Sequence, residues 1–159
     1  MGYFCYDRSM NLNKNHKKGI VLLIIIFSIF SLIFLTKNQE IKKPEVLKMG
    51  GVTLNIEVAD TDPERVQGLS GRDGLEDNEG LLFVFGREDY YGIWMKDMNF
   101  PIDIVWFDKN KNVTHMENVV RPDTYPKVFS SAIPSLYVLE IPAGFLVKNN
   151  IKIGDSVAF

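Results

Sequence analysis

Between Ile20 and Leu35 the chain reads IVLLIIIFSIFSLIFL, sixteen residues without a charge, with Lys14, Lys17 and Lys18 before the run and Lys37, Lys42 and Lys43 after it. An all-round apolar helix needs a larger protein to surround it than 159 residues supply, so this run is set apart from the core of the remaining chain. At ~1.5 Å per residue it reaches ~24 Å, and Gly19, Thr36 and snorkelling lysines extend it toward a ~30 Å hydrocarbon core. A cleaved signal calls for a small-residue A-x-A-like pattern after the apolar stretch, and a lipid anchor there for a cysteine; neither follows. The expectation is an uncleaved transmembrane anchor over residues 19–36, a single pass in the cell membrane. Arg8, Lys14, Lys17 and Lys18 on one side balance Lys37, Lys42, Lys43 and Lys48 on the other. Proximity of the preceding lysines and the amino terminus place residues 1–18 in the cytoplasm as a basic tail, and the larger part of the chain outside.

Charge divides the chain at the same place. Residues 1–48 carry a net +5 and residues 49–159 a net −7. An acidic domain without a basic stripe repels a phosphate backbone, which disfavours nucleic acid as a partner. The one cysteine, Cys5, lies in the basic tail, so the larger part has no disulfide, no cysteine-based zinc site and no thiol nucleophile.

Residues 37–48 are polar, contain Pro44 and lack a sustained period, which reads as a linker to a domain over 49–159. Val52, Leu54, Ile56 and Val58 alternate with polar residues, as a half-buried strand does. A short helix is predicted over Pro63 to Leu69, with Asp62 as its cap. Gly80 to Phe85, GLLFVF, is short and apolar on both faces, the mark of a central strand. Ile93-Trp94-Met95 and Ile102 to Phe107 read as a hairpin or bent pair, and Asp108 to Lys111 turns the chain into a return strand over Val113 to Val119. Arg121 to Pro134, with three prolines, reads as a long loop before a strand at Leu136 to Ile141. A helical turn is expected after Gly144, and a terminal strand at Ser156 to Phe159. Six or more short strands with one or two small helices define a mainly β domain, a compact barrel or sandwich.

The string Arg65-x-x-Gly68-Leu69-x-x-Arg72, followed by Glu79-Gly80-x-Leu82-Phe83-x-Phe85, Trp94-Met95-Lys96, Pro101-Ile102-Asp103, Val138-Leu139-Glu140-x-Pro142-Ala143-Gly144 and Gly154-Asp155, resembles the DUF192 (UPF0127) family in order and spacing. The resemblance runs over residues 52–159 and implies a compact β-rich domain, often behind a signal peptide or anchor. It implies no established activity.

The residues themselves nominate a site. Arg65 and Arg72 are seven apart, on one side of a helix that continued through the glycines, and two such forks suit a carboxylate or phosphate. Asp103 or Glu140 is equally suited to be the carboxylate they hold. Glu140 shares a strand face with apolar Leu136 and Val138, so it needs a partner, and Arg65 or Arg72 is the obvious one. Trp94 and Lys96, with Asp97, can line a pocket or stand as a core aromatic beside two solvated charges. Asp97, Asp103 and Glu140 are the candidate acids for carboxylate-pair hydrolysis, which needs two of them ~5 to 9.5 Å apart across a cleft. His115 is the only histidine outside the tail, so a histidine metal site is disfavoured; no metal or cofactor is expected. Two function classes follow: a non-catalytic binding or accessory module for a small anionic or envelope ligand, and a cell-envelope hydrolase.

Overall fold

The computed structural model describes residues 14–37 and 43–159. The amino-terminal tail before residue 14 lies outside the described residues. Helix α1 (Lys14–Lys37) belongs to one compact unit and Lys43–Phe159 to another. Among the described residues no helix is long and apolar enough to cross a membrane, so the transmembrane reading of residues 19–36 rests on the sequence alone.

The second unit holds eight strands: β1 (Val46–Met49), β2 (Val52–Ala59), β3 (Glu79–Asp89), β4 (Gly92–Trp94), β5 (Ile102–Phe107), β6 (Val113–Val120), β7 (Val128–Ser130) and β8 (Ser135–Pro142). Two short helices, α2 (Asp62–Gln67) and α3 (Phe145–Lys148), and a 3-10 turn at Pro122–Thr124 complete it. Strand β1 begins within the stretch read as linker, which holds all of it but Met49. Its first and third residues, Val46 and Lys48, are exposed while Leu47 and Met49 are sealed, a period of two too short to stand out beside Pro44.

Six strands form one sheet in the order β1-β2-β3-β8-β5-β6, with only β2 and β3 parallel. The sheet is open. The expected barrel does not close, because no ladder joins edge strands β1 and β6 among the described residues. Single bridges tie Ala158 to Lys48 of β1 and Ser156 to Asn112 before β6, so the expected terminal strand only laces the two edges together at one end. A second correction concerns β4. Rather than pairing with β5, it pairs with β7, inside the stretch read as loop, as a separate ribbon in the register Trp94↔Val128 and Gly92↔Ser130.

Strands β3 and β5 are apolar on both faces because the sheet is covered on both. In register across β3, β8 and β5, Leu82, Leu139 and Val105 point to one face and Phe83, Val138 and Trp106 to the other. The first face packs against Leu47, Phe145 and Leu146, and the second against Leu69, Ile93 and Met95. Phe83 and Val105 are 2% and 0% exposed, one in each core, so replacing either by Ala is expected to lower unfolding free energy by roughly 2 to 4 kcal/mol in denaturant titrations. A change below about 1 kcal/mol at either position would contradict this packing.

The parallel β2 and β3 are joined through α2, which places that helix over the second face. Thr61, rather than Asp62, caps it: Thr61 Oγ1 accepts from the Glu64 amide and Glu64 Oε2 accepts from the Thr61 amide at 3.0 Å, a reciprocal box. The helix ends at Gly68, whose φ of 51° favours glycine and whose added Cβ would lie 3.5 Å from the Phe83 ring.

A cleft between the crossover helix and the β4 ribbon

Helix α2 and the loop after it form one wall of a cleft on the second face, and β4 forms the other. Arg65, Val66, Gly68, Leu69 and Ser70 line the first wall, Gly92 to Trp94 the second, and Phe83 and Glu140 lie at the floor. The cleft itself encloses about 50 Å³, and a more open hollow of about 310 Å³ adjoins it along Asp62, Phe85 and Tyr91. Gly92 leaves room for the Val128 side chain on the paired β7, since a Cβ there would fall 2.5 Å from it.

Glu140 reaches this floor by strand alternation. Its cross-strand neighbours are Leu81 on β3 and Ile104 on β5, both buried and aliphatic, and neither can bond a carboxyl. Glu140 is 4% exposed, and its Oε2 is sealed with no hydrogen-bond partner among the described residues. Burial pushes the carboxyl up to about 8, opposed by the smaller effect of the Arg72 charge. At neutral pH the group is therefore mostly the uncharged acid.

The two arginines do not hold it. Arg72 gives both ends of its fork to Glu57 on β2, at 2.6 and 2.9 Å, and this pairing holds the Glu57 carboxyl below its usual range. Arg65 pairs with Asp62 and donates to the carbonyls of Asp60 and Val84, its guanidinium 5.4 Å from the Phe85 ring centre. The expected tie between Glu140 and a helix arginine is thus replaced by pairs with Asp62 and Glu57. The reason is the early end of the helix: Gly68 caps it after Gln67, so Arg72 lies beyond it and pairs with Glu57 of β2 instead of reaching β8. With both forks taken by carboxylates of the same chain, the donors foreseen for an anionic ligand are already engaged.

Asp103 is architectural. Fully buried on β5, it accepts from the amides of Val119 at 2.8 Å, Gly144 at 3.0 Å and Leu146 at 2.9 Å. The last two are free amides at the start of α3, whose N-cap residue Gly144 has no side chain to offer. The first belongs to a β-branched residue held at a φ of 52°. Asp97 is exposed, 3.9 Å from Lys96, and also has a positive φ of 55°. The backbone of this pair matters more than its charges, because Ser70 Oγ donates to the Lys96 carbonyl and the Gly71 amide to that of Asp97. Between them and Trp94, Met95 is 1% exposed and pins the ribbon's end into the core.

Of the candidate residues, then, the fold gathers Arg65, Trp94 and Glu140 in one cleft and leaves Arg72, Lys96, Asp97 and Asp103 out of its lining. It adds Leu69, Phe83, Ile93 and Met98, apolar positions that alternation and helical period identify only as core. His115 bonds Glu117 at 3.1 Å beside the Trp106 ring. No cluster of three or more metal-ligating side chains occurs among the described residues.

An open mixed sheet covered on both faces, with a cleft over a buried acid beneath a short capped helix, defines the class of this domain as small and mainly β. The chain belongs to the DUF192 family, described as "Uncharacterized ACR", whose profile matches residues 45–159. The same fold occurs in a protein of unknown function from Novosphingobium aromaticivorans DSM 12444, at 31% identity and a TM-score of 0.66 over 72% of this chain and 81% of that one. It also occurs in a "putative transcription regulator" from Sinorhizobium meliloti 1021, at 27% identity and a TM-score of 0.64 over 71% of this chain and 88% of that one. No curated protein matches the chain.

Proposed function

We propose that this protein is a membrane-tethered, extracytoplasmic binding module whose cleft between α2 and β4 takes a small ligand, without catalysing its conversion. The observation that carries the binding reading is Glu140, whose buried Oε2 has no partner among the described residues, at the floor of the cleft. A group of that kind is costly to bury, and a ligand that completes its hydrogen bonding recovers part of the cost. Trp94, half exposed at the mouth, supplies an aromatic face. The hydrolase alternative needs a second acid opposite Glu140, and Asp62, the other acid of the described lining, stands at the outer end in a pair with Arg65. The tether is supported by the uncharged run of Ile20 to Leu35.

The two tryptophans make a direct test. Trp106 is sealed, with its indole bonded to the Tyr91 carbonyl at 3.0 Å, so ligand-dependent fluorescence comes from Trp94. A panel of small envelope metabolites is expected to contain compounds that change that emission in the wild type and leave Trp94→Phe silent. If no compound does so, the cleft is not a binding site. Protease added to intact spheroplasts is expected to remove the domain and spare a membrane stub; a domain cut only after lysis would reverse the topology.

A further inference from the structure

We propose that the ligand of the α2–β4 cleft carries a primary ammonium group on an apolar stem of about the size of an aromatic ring, with Glu140 as its counter-charge; this rests on the binding reading above. Oε2 of Glu140 is buried and unpartnered, and both strands beside it present aliphatic side chains. Whatever completes this carboxyl must come from the cleft. The chain's own nearby cations are committed elsewhere: Arg65 to Asp62, Arg72 to Glu57, and Lys96 points to Asp97.

The walls then define the rest of the ligand. Leu69, Phe83, Ile93 and Met98 desolvate an alkyl or aryl body, and the polar side chains of the wall are engaged within the chain, Gln67 donating to the Ser70 carbonyl and Ser70 to that of Lys96. At the mouth, Trp94 at 50% exposure presents a π face that attracts a cation on its way in. An ammonium has three donors and serves both carboxylate oxygens; a neutral carbonyl can take only the single proton of the acid. A carboxylate ligand finds no free cation at the floor.

The charged groups around Glu140 set the pH dependence. Arg65 faces the cleft from α2 with its charge balanced by Asp62, and Arg72 lies nearby, balanced by Glu57, with Glu79 of β3 also acting on it. The lining residues of β4 and Met98 do not titrate, and β5 presents Ile104. Because Glu140 holds its proton up to about pH 8, binding at neutral pH displaces it. The acid and the ammonium ligand give a carboxylate–ammonium pair and one proton to solvent. Affinity therefore rises about tenfold per pH unit until the carboxyl titrates.

Calorimetry on the full chain in a fixed concentration of nonionic detergent, with three near-isosteric probes, tests this. At pH 6, 7 and 8, 2-phenylethylamine is expected to bind with rising affinity, releasing about one proton as judged from two buffers of different ionisation enthalpy. The neutral 2-phenylacetamide is expected to bind at least tenfold more weakly at pH 8, and the anionic 2-phenylacetate not at all. Glu140→Gln should lose at least fiftyfold toward the amine, and Trp94→Ala, at an exposed position, about tenfold. An amide that binds as tightly as the amine, or an amine whose affinity falls with pH, overturns the ammonium assignment and leaves the cleft reading standing. Absence of binding by all three probes, with Trp94 emission unmoved, overturns both.

Discussion

Asp103→Ala is expected to be the most damaging single substitution in the domain, lowering unfolding free energy by about 5 kcal/mol. One buried carboxylate satisfies the amides of Val119, Gly144 and Leu146, and its removal leaves the buried Leu146 amide and the two partly buried ones without their acceptor. Each unsatisfied buried amide costs roughly 1 to 3 kcal/mol. Asp103→Asn should cost about half as much, because Oδ1 alone accepts from Val119 and Gly144, whereas an amide nitrogen in the place of Oδ2 faces the Leu146 amide with a hydrogen. The measurement is denaturant unfolding of the three proteins at pH 7, with exchange of the Leu146 amide as a local probe. If Asp103→Ala unfolds within about 1 kcal/mol of wild type, the carboxylate does not organise α3.

The second large effect has the opposite sign: Glu140→Gln is expected to stabilise the domain at pH 7, by about 2 kcal/mol. Glu140 is protonated in the folded state up to about pH 8 and ionised in the unfolded state above about pH 4.5. A carboxyl raised on folding contributes stability that is fully present below the unfolded value and lost as pH rises through the folded one. Wild type is therefore expected to lose on the order of 4 kcal/mol between pH 5 and pH 9 through this group. Glutamine removes that slope. Below pH 4.5 the sign reverses for the lowered acids, Glu57 beside Arg72 and Glu64 of the capping box, whose contributions are present above the unfolded value and lost on acidification. Stability should thus peak near pH 5 in wild type and on a broad plateau in Glu140→Gln. A variant destabilised by about 3 kcal/mol at pH 7 would instead mean an ion pair between Glu140 and a guanidinium.

Local sequence was enough for the elements whose cause is local. The alternation of Val52 to Val58, the two-faced apolar run GLLFVF and the Asp108 to Lys111 turn each state their own geometry, and β2, β3 and the β5–β6 hairpin stand where those signals put them. The apolar signal at Leu47 and Met49 was too short to separate from a linker. Strand β7 was hidden too: Val128 to Ser130 is three residues in a proline-bearing stretch, and it is a strand only because β4 lies beside it.

The site divides along the same line. Sequence determined that Glu140 sits on a strand face with apolar neighbours and that it needs something to complete it, because period two and the cost of a buried charge are properties of the chain itself. It also determined the separation of an uncharged amino-terminal run from an acidic, mainly β domain. Which groups meet was decided by tertiary structure alone. Gly68 stops α2 early enough to send Arg72 to Glu57, the sheet's order seats Asp103 beneath the start of α3, and the β4–β7 ribbon folds over Phe83 to make a cleft. These are contacts between residues many positions apart, 15 for Arg72 with Glu57 and 43 for Asp103 with Leu146. No window of local pattern spans such distances, so the pairing of charges waited on the order of the strands.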